Sequence, residues 1–259
     1  MRIPRIHTEQ PLEGQSTVML DGQAAQHLLK VLRLGPGHPL ELFNGDGRVY
    51  PGAITETTKK SLAVTLEVPF DPDNESPLSI TLGQVVSRGD RMDYAVQKAV
   101  EMGVTTIQPL TSERCEVRLK GDREDKRLRH WQQVAISAAE QCGRARVPEV
   151  QPLVSLEDWV AQPPPADLQL ALHHRTRASL EDLSPPQSIN LLIGPEGGLT
   201  AEEIALAEAQ GFVAVCLVDL IGTVLAVIAH PLDVFATGGI GLGCQYTVIG
   251  KQGHAQGVG

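Results

Sequence analysis

The sequence predicts an α/β protein in which a small N-terminal β-barrel precedes a mostly parallel sheet. Short apolar strands separated by turn residues fill roughly the first 70 residues, a pattern typical of small barrels. Beyond residue 78, apolar strands alternate with helical segments, which implies crossover connections between parallel strands. The polar, proline-rich stretch "PFDPDNESP" (69–77) separates the two patterns and is interpreted as a linker. We therefore expect a first domain at residues 1–72 and a second at 73–259.

The N-terminal part combines several strands with one helix. Within residues 21–37, Ala24, Leu28 and Val31 have helical spacing, and a final Gly-Pro-Gly predicts where this helix ends. The predicted strands are 16–20, 39–44, 47–57 and 61–68.

The C-terminal part predicts the parallel sheet and the helices that cover it. The predicted strands are 78–86, 104–110, 167–173, 189–193 and 212–218. The predicted helices are 91–103, 122–143, a short one near 155–161, and 200–210. The apolar face expected to lie in the core on the long helix consists of Leu128, Trp131, Val134, Ala135, Ala138 and Cys142. In an open parallel sheet, ligands bind at the carboxyl ends of the strands, so the loops that follow the strands are the first places to search.

Composition places the chain among ordinary soluble proteins of the cytoplasm. Hydrophobic residues make up 42% and charged residues 20% of the 259 residues. The N-terminal stretch "MRIPRIHTEQPLEG" has no apolar region of the kind found in secretory signals. The longest apolar run, 217–229, is too short to span a bilayer and contains Asp219. We expect no membrane association.

The cysteines and histidines do not predict a metal site. Four scattered cysteines have no C-x-x-C pair, which fits reduced thiols in a cytosolic protein. His173 and His174 are adjacent on a predicted strand and would point to opposite faces, so they are poorly placed to bind one ion.

The charge distribution is uneven along the chain. The formal net charge is −9, but residues 86–146 contain 12 Lys and Arg against 9 acidic residues. A basic segment on an acidic protein can contact a phosphate backbone locally, although a solvated helix face has much the same composition.

The stretch "INLLIGPEGGLTAEEI" (189–204) carries the clearest functional signal. A buried strand ends in the loop Gly194–Gly198, and Thr200 and Glu203 have the spacing of a helix capping box. A loop with so little side-chain bulk exposes backbone groups to a ligand, and a helix N-terminus favours negative charge. The alternative is a tight turn in which proline fixes φ and glycines adopt left-handed angles. The chain contains no dinucleotide or P-loop glycine motif.

Six blocks in order resemble the RsmE family of small-subunit ribosomal RNA methyltransferases, which belong to the SPOUT superfamily. The blocks are "MRIPRI", "HLLKVLRLGPG", "SRGDRMDYAVQKAVEMGV", "SERCEVRL", "WQQVAISAAEQCGRARVPEV" and "LLIGPEGGLTAEEI", spread over residues 1 to about 215. The resemblance implies a PUA-like N-terminal barrel that binds RNA and a parallel sheet with a deep trefoil knot. It also implies S-adenosylmethionine as cofactor, a homodimer, and methylation of uridine N3 in 16S ribosomal RNA or the small ribosomal subunit.

The resemblance and the predicted elements together indicate site residues. Glu196 and Arg88 are the expected catalytic residues, because uracil N3 must lose its proton and a base or a positive charge assists that loss. The expected cofactor-binding residues are Leu172, His173, Gly194, Pro195, Glu196, Gly197 and Gly198. The expected RNA-binding residues are Arg2, Arg5, His27, Lys30, Arg33, Arg114, Arg144 and Arg146.

Structural alternatives exist for several of these side chains. Arg88 has the position of an ordinary surface charge at a helix entry, and the basic residues at 27, 30 and 33 also fit a solvated helix face. Lys98 and Glu101 are three residues apart on one predicted helix and are expected to pair with each other.

The resemblance stops after about Val215. The family pattern continues with Leu-Gly-Pro-Arg and Leu-Arg-Thr-Glu-Thr-Ala, which complete the cofactor pocket, whereas residues 216–259 contain no arginine and nine glycines. Two hypotheses follow from this departure. The chain is a methyltransferase that uses S-adenosylmethionine, or it is a non-catalytic RNA-binding remnant with an incomplete cofactor pocket.

Overall fold

The computed structural model describes residues 3–173 and 186–215, which form two sheets with five α-helices. The first sheet has the order β1-β3-β4-β5-β2, in which β1 and β3 are parallel and the other pairs are antiparallel. Its strands are β1 (Arg5–His7), β2 (Thr17–Leu20), β3 (Pro39–Phe43), β4 (Tyr50–Thr57) and β5 (Leu62–Leu66). These strands enclose one apolar cluster that includes Leu20, Leu28 and Ile54.

The helix expected across residues 21–37 is shorter than predicted. Helix α1 (Gly22–Gln26) passes directly into a π-helical turn, His27–Val31, in which the Leu32 N–H donates to the His27 carbonyl at 3.0 Å. The wider turn changes the residue spacing, so the basic side chains at 27, 30 and 33 do not follow a regular α-helical face.

The second sheet is parallel throughout its described pairs and has the order β12-β10-β11-β6-β7-β8, with the short strand β9 also paired to β7. The strands are β6 (Ser79–Val85), β7 (Thr106–Thr111), β8 (Glu149–Val150), β9 (Val154–Ser155), β10 (Leu168–Leu172), β11 (Ser188–Ile193) and β12 (Val213–Val215). The predicted α/β class with a parallel sheet is confirmed. The expected boundary between residues 72 and 73 remains a prediction.

Helices pack on both faces of this sheet because successive strand residues point to opposite sides. The helices are α2 (Asp90–Glu101), α3 (Asp122–Cys142), α4 (Leu156–Ala161) and α5 (Ala201–Ala209). Leu82 and Ile107 meet α2 and α3 on one face, whereas Val85 and Leu110 meet α4 and α5 on the other.

Helix α3 forms most of its predicted core contacts. Trp131, Ala135 and Ala138 are buried, but Cys142 is exposed, so its assignment to the core was wrong. The buried face ends one turn earlier, and Gly143 terminates the helix with a left-handed φ of 92°. The predicted Lys98–Glu101 ion pair is present, with Nζ and Oε2 2.6 Å apart.

None of the helices in residues 3–173 and 186–215 has both the length and the apolar character needed to cross a membrane. Within the same ranges, no three His, Cys, Asp or Glu side chains are grouped so as to hold a metal ion. Residues 216–259, where the sequence departs from the family pattern, lie outside the described part of the chain.

Candidate active site

The loop Gly194–Gly198 lies at the carboxyl end of β11, between β6 and β10 in the sheet. A turn closes it, because the Gly198 N–H donates to the Pro195 carbonyl at 2.9 Å. Gly198 has a φ of 70°, a conformation that side-chain-bearing residues adopt at a cost. A Cβ at Gly194 would lie 3.0 Å from Leu199 Cγ. The loop therefore excludes side chains at its two ends and is built from main-chain groups.

The helix after this loop starts with the predicted capping box, and its glutamate has a second role. Glu203 Oε2 accepts from the Thr200 N–H at 2.8 Å, and Thr200 Oγ1 accepts from the Glu203 N–H at 3.1 Å. The other carboxylate oxygen, Oε1, accepts from the Glu113 N–H at 2.8 Å. Glu203 is only 4% exposed. One buried carboxylate thus fixes both the start of α5 and the chain segment that follows β7.

Arg114 joins the same segment to the loop itself. Its Nη1 donates to the Gly197 carbonyl at 3.0 Å and to the Leu199 carbonyl at 3.4 Å. A guanidinium bound to two carbonyl groups two residues apart holds their orientation. Arg114 remains exposed, and its predicted RNA contact remains a prediction.

The two predicted catalytic residues, Arg88 and Glu196, meet at this edge of the sheet. Glu196 Oε1 accepts from the Arg88 N–H at 3.1 Å and lies 3.2 Å from Arg91 Nη1. The N–H of Glu196 itself, the Arg88 N–H and the Arg91 guanidinium together lower the pKa of Glu196 below its usual value. The side chain is therefore a carboxylate at neutral pH. The Arg88 guanidinium pairs with Glu116 and is two-thirds exposed.

A buried hydroxyl lies at the same edge. Ser112 follows the end of β7 directly, and its Oγ is buried without a hydrogen-bond partner among residues 3–173 and 186–215. Leu172 is the last residue of β10, and the His173 N–H donates to the Val215 carbonyl at 2.8 Å. Both of these predicted cofactor-binding residues thus lie at the edge of the sheet that carries the loop.

The predicted RNA-binding residues have different environments. His27, Lys30 and Arg33 are exposed on the first sheet's helical segment. The Arg146 guanidinium packs over Gly47 in the turn before β4. Arg2 lies outside the described residues.

Two arginines predicted to bind RNA are occupied by internal contacts. Arg144 is 6% exposed, pairs with Glu75 at 2.7 Å, and donates from Nη1 to the carbonyls of Val100 and Val104 at 2.8 and 2.9 Å. Arg5 pairs with Glu41 at 3.0 Å, and its side chain is 13% exposed. These contacts give both side chains a structural role and leave little surface for RNA.

Sequence reasoning did not assign a role to three residues that shape the site. Arg91 and Glu116 bind the two predicted catalytic residues, and Glu203 was identified only as a helix cap. The stretch "SRGDR" (87–91) contained one signal, because its second arginine lies only three residues after Arg88, at the start of the predicted helix. The contacts of Glu116 and Glu203 join segments distant in sequence and have no local signature.

Comparison with known families gives matches along most of the chain. Residues 74–221 match the model of an RNA methyltransferase domain, and residues 20–67 match the model of an RNA methyltransferase PUA domain. A relative is the ribosomal RNA small subunit methyltransferase E of Buchnera aphidicola subsp. Schizaphis graminum. It is 32% identical over 219 residues, which cover 83% of this chain and 88% of the relative.

Two solved structures resemble the described fold. The ribosomal RNA small subunit methyltransferase E from Neisseria gonorrhoeae, bound to S-adenosyl methionine, is 37% identical with a TM-score of 0.80. The match covers 88% of this chain and 98% of that one. A methyltransferase from Legionella pneumophila, solved with the bound cofactor SAM, is 33% identical with a TM-score of 0.81 and covers 87% and 98% of the two chains.

Proposed function

We propose that this chain, which belongs to the ribosomal RNA small subunit methyltransferase E family, methylates N3 of a uridine in 16S ribosomal RNA. Family membership supports the general activity, the transfer of a methyl group from S-adenosylmethionine to small-subunit ribosomal RNA. The observation that supports a site for this reaction is the main-chain loop Gly194–Gly198 at the carboxyl edge of the parallel sheet.

The loop has the features needed to bind S-adenosylmethionine through backbone groups. Leu199 leaves little room for a side chain at Gly194, and the positive φ of Gly198 disfavours one at the other end. Among the described residues, the space beside Gly198 is open and the Ser112 hydroxyl has no partner. We assign cofactor contacts to Leu172, His173 and the loop. When bound, S-adenosylmethionine supplies a methyl group on a positively charged sulfur atom.

Glu196 is better suited to accept a hydrogen bond than to remove a proton. A general base works best with a pKa near the working pH, and the pKa of Glu196 is lowered by its own N–H, the Arg88 N–H and Arg91. We propose that its carboxylate orients a hydroxyl or an N–H group of a bound ligand.

Arg88 has the charge that the reaction requires. Uracil N3 carries a proton at neutral pH, and loss of that proton leaves a negative charge on the base. A guanidinium beside the base stabilises this anion, and Arg88 is exposed at the edge that holds the loop. We therefore propose electrostatic stabilisation by Arg88 and positioning by Glu196.

Other features of the family are also proposed for this chain. We propose a homodimer with a trefoil knot, a PUA-like domain at residues 1–72 and a methyltransferase domain at 73–259. The exposed residues His27, Lys30, Arg33, Arg114 and Arg146 are proposed to contact RNA. A ribosomal RNA substrate also implies a cytoplasmic location.

The sequence after residue 215 favours a second candidate function. The absence of arginine from residues 216–259 removes the side chain that the family pattern places in the second cofactor loop. An RNA-binding protein that no longer binds the cofactor is the alternative.

Calorimetric titration of the full chain with S-adenosylmethionine separates the two functions. Heat with one site per chain is expected for the methyltransferase, whereas absence of heat together with retained RNA binding supports the remnant. Transfer of labelled methyl groups to small subunits that lack the modification then tests activity. Mapping of the product at nucleotide resolution tests N3 of uridine, and a label on another atom or base would overturn that assignment.

A further inference from the structure

Helix α3 lies between the segment that contacts the candidate active site and the N-terminal sheet. Eight residues before α3 begins, Arg114 contacts the loop carbonyls. Near its other end, Glu140 Oε1 accepts from the His7 N–H of β1 at 2.9 Å. With 21 residues, α3 spans about 30 Å. The helix therefore runs from the segment that follows Arg114 to the N-terminal sheet.

The first half of α3 presents an exposed basic face. Arg123, Lys126 and Arg127 have the spacing i, i+3 and i+4, so they lie on one side of the helix. We call these three residues the basic α3 face. All three are exposed, whereas Trp131 and Ala135 on the following turns are buried.

These charges are not paired with acids. Across residues 3–173 and 186–215, the basic α3 face has no carboxylate within 4 Å, and neither do Arg118, Lys120 and Arg129 beside it. The acids of the first turn, Asp122, Glu124 and Asp125, are instead placed where they stabilise the helix N-terminus.

The same side of α3 continues into a cavity beside the N-terminal sheet. Lys126 is followed at i+7, i+11 and i+14 by Gln133, Ser137 and Glu140, which line a cavity of about 730 Å³. His27 and Lys30 line its opposite wall. The cavity walls carry amide, hydroxyl, imidazole and ammonium groups that can bind bases. They also carry the carboxylates of Glu9, Asp21 and Glu140, which do not favour phosphates.

We propose that the basic α3 face binds the phosphate backbone of the substrate RNA. This inference rests on the proposed function for the identity of the substrate. The unpaired cations match a polyanion in charge, and they lie within about 6 Å along the helix axis, so neighbouring phosphates of one strand can reach them together. RNA contact is thus assigned to the catalytic half of the chain as well as to its N-terminal sheet.

The salt dependence of RNA binding tests this assignment. Each phosphate contact that is removed lowers the slope of log K against log salt concentration by about 0.9 for a duplex and about 0.7 for a single strand. We expect the double variant Lys126→Gln, Arg127→Gln to lower the slope by about 1.5, measured with deproteinised 16S ribosomal RNA between about 50 and 200 mM salt. S-adenosylmethionine affinity should not change.

The control removes a cation that already has a partner. Lys98→Gln alters the lysine of α2 that pairs with Glu101, and its slope should equal that of the unaltered chain. Equal slopes in all three proteins, or equal losses in both variants, would overturn the proposal. A loss seen with whole small subunits but absent with deproteinised RNA would instead assign this face to a ribosomal protein.

Different measurements would show that the proposed function is wrong. If the unaltered chain binds no S-adenosylmethionine or transfers no methyl group, the methyltransferase proposal fails. The slope measurement remains valid in that case, because it requires RNA binding alone.

Discussion

Glu203 and Glu113 are joined by a hydrogen bond of 2.8 Å between a buried carboxylate and a backbone N–H, although they are 90 residues apart in the chain. The second carboxylate oxygen accepts from the Thr200 N–H. One side chain therefore positions both the segment that follows β7 and the start of α5. The segment held in this way contains Arg114, which binds the loop carbonyls of Gly197 and Leu199.

Removal of the Glu203 carboxylate should destabilise the protein. In Glu203→Ala, the buried N–H of Glu113 loses its acceptor, which costs about 1–3 kcal/mol, and loss of the capping box costs up to about 1 kcal/mol more. Urea denaturation measures the free energy of unfolding. Glu208→Ala, an exposed acid on the same helix, is the control and should change it by less than about 0.5 kcal/mol. Equal losses in the two variants would contradict the role of Glu203.

Added bulk on the loop should weaken cofactor binding. In Gly197→Val, the new Cβ would lie 3.6 Å from Arg114 Cβ, so the valine fits the fold but covers the main chain. We expect at least about a tenfold loss of S-adenosylmethionine affinity, near 1.4 kcal/mol, with RNA affinity retained. Calorimetry measures the first quantity and filter binding the second. Gly35→Val, with open space around its Cβ, is the control. If the affinity for S-adenosylmethionine is unchanged, the loop is a simple turn that does not bind the cofactor.

The pH dependence of methyl transfer should not contain the titration of Glu196. Its pKa is lowered by its own N–H, the Arg88 N–H and Arg91, so the ion pair with Arg91 persists above the usual carboxyl pKa and is lost only as the pH falls through the lowered value. Between about pH 6 and pH 9 the Glu196→Gln variant should show a profile parallel to the unaltered chain.

The size of the loss in methyl-transfer rate shows whether Glu196 positions a ligand or removes a proton. Glutamine keeps an acceptor oxygen, so single-turnover rates for Glu196→Gln should fall less than those for Glu196→Ala. If both variants lose activity equally, and the rate loses its dependence on pH in each, then Glu196 is the base.

Loss of the Arg144 guanidinium should affect stability and leave the RNA interaction unchanged. Arg144→Met leaves Glu75 without its partner, together with the carbonyls of Val100 and Val104, a change that costs about 3–5 kcal/mol for a buried pair. Denaturation should report this loss, whereas the salt slope of RNA binding should remain that of the unaltered chain. Arg129→Met is the control for the stability measurement, because Arg129 is exposed and has no such pair within the described residues. A smaller salt slope for Arg144→Met would mean that Arg144 contacts RNA after all.

Much of the fold follows from the sequence because it is encoded in local patterns. Alternation of apolar strands and amphipathic helices predicted every element of the parallel sheet except the two-residue strands β8 and β9. The π-helical turn at His27–Val31 was not predictable, since a single wider turn leaves apolar spacing close to that of an α-helix.

The sequence by itself determined the strand, the side-chain-poor loop and the capping box around Gly194–Gly198, because φ preferences and helix-start signals depend on neighbouring residues. Only the tertiary structure decided which distant groups meet there, such as Glu196 with Arg91 and Glu113 with Glu203. It also decided that Arg144 is buried while Arg127 is exposed, although both are arginines of one basic segment. The physical reason is that crossover connections bring strand ends together across long sequence separations, and no local pattern records which side chains they bring into contact.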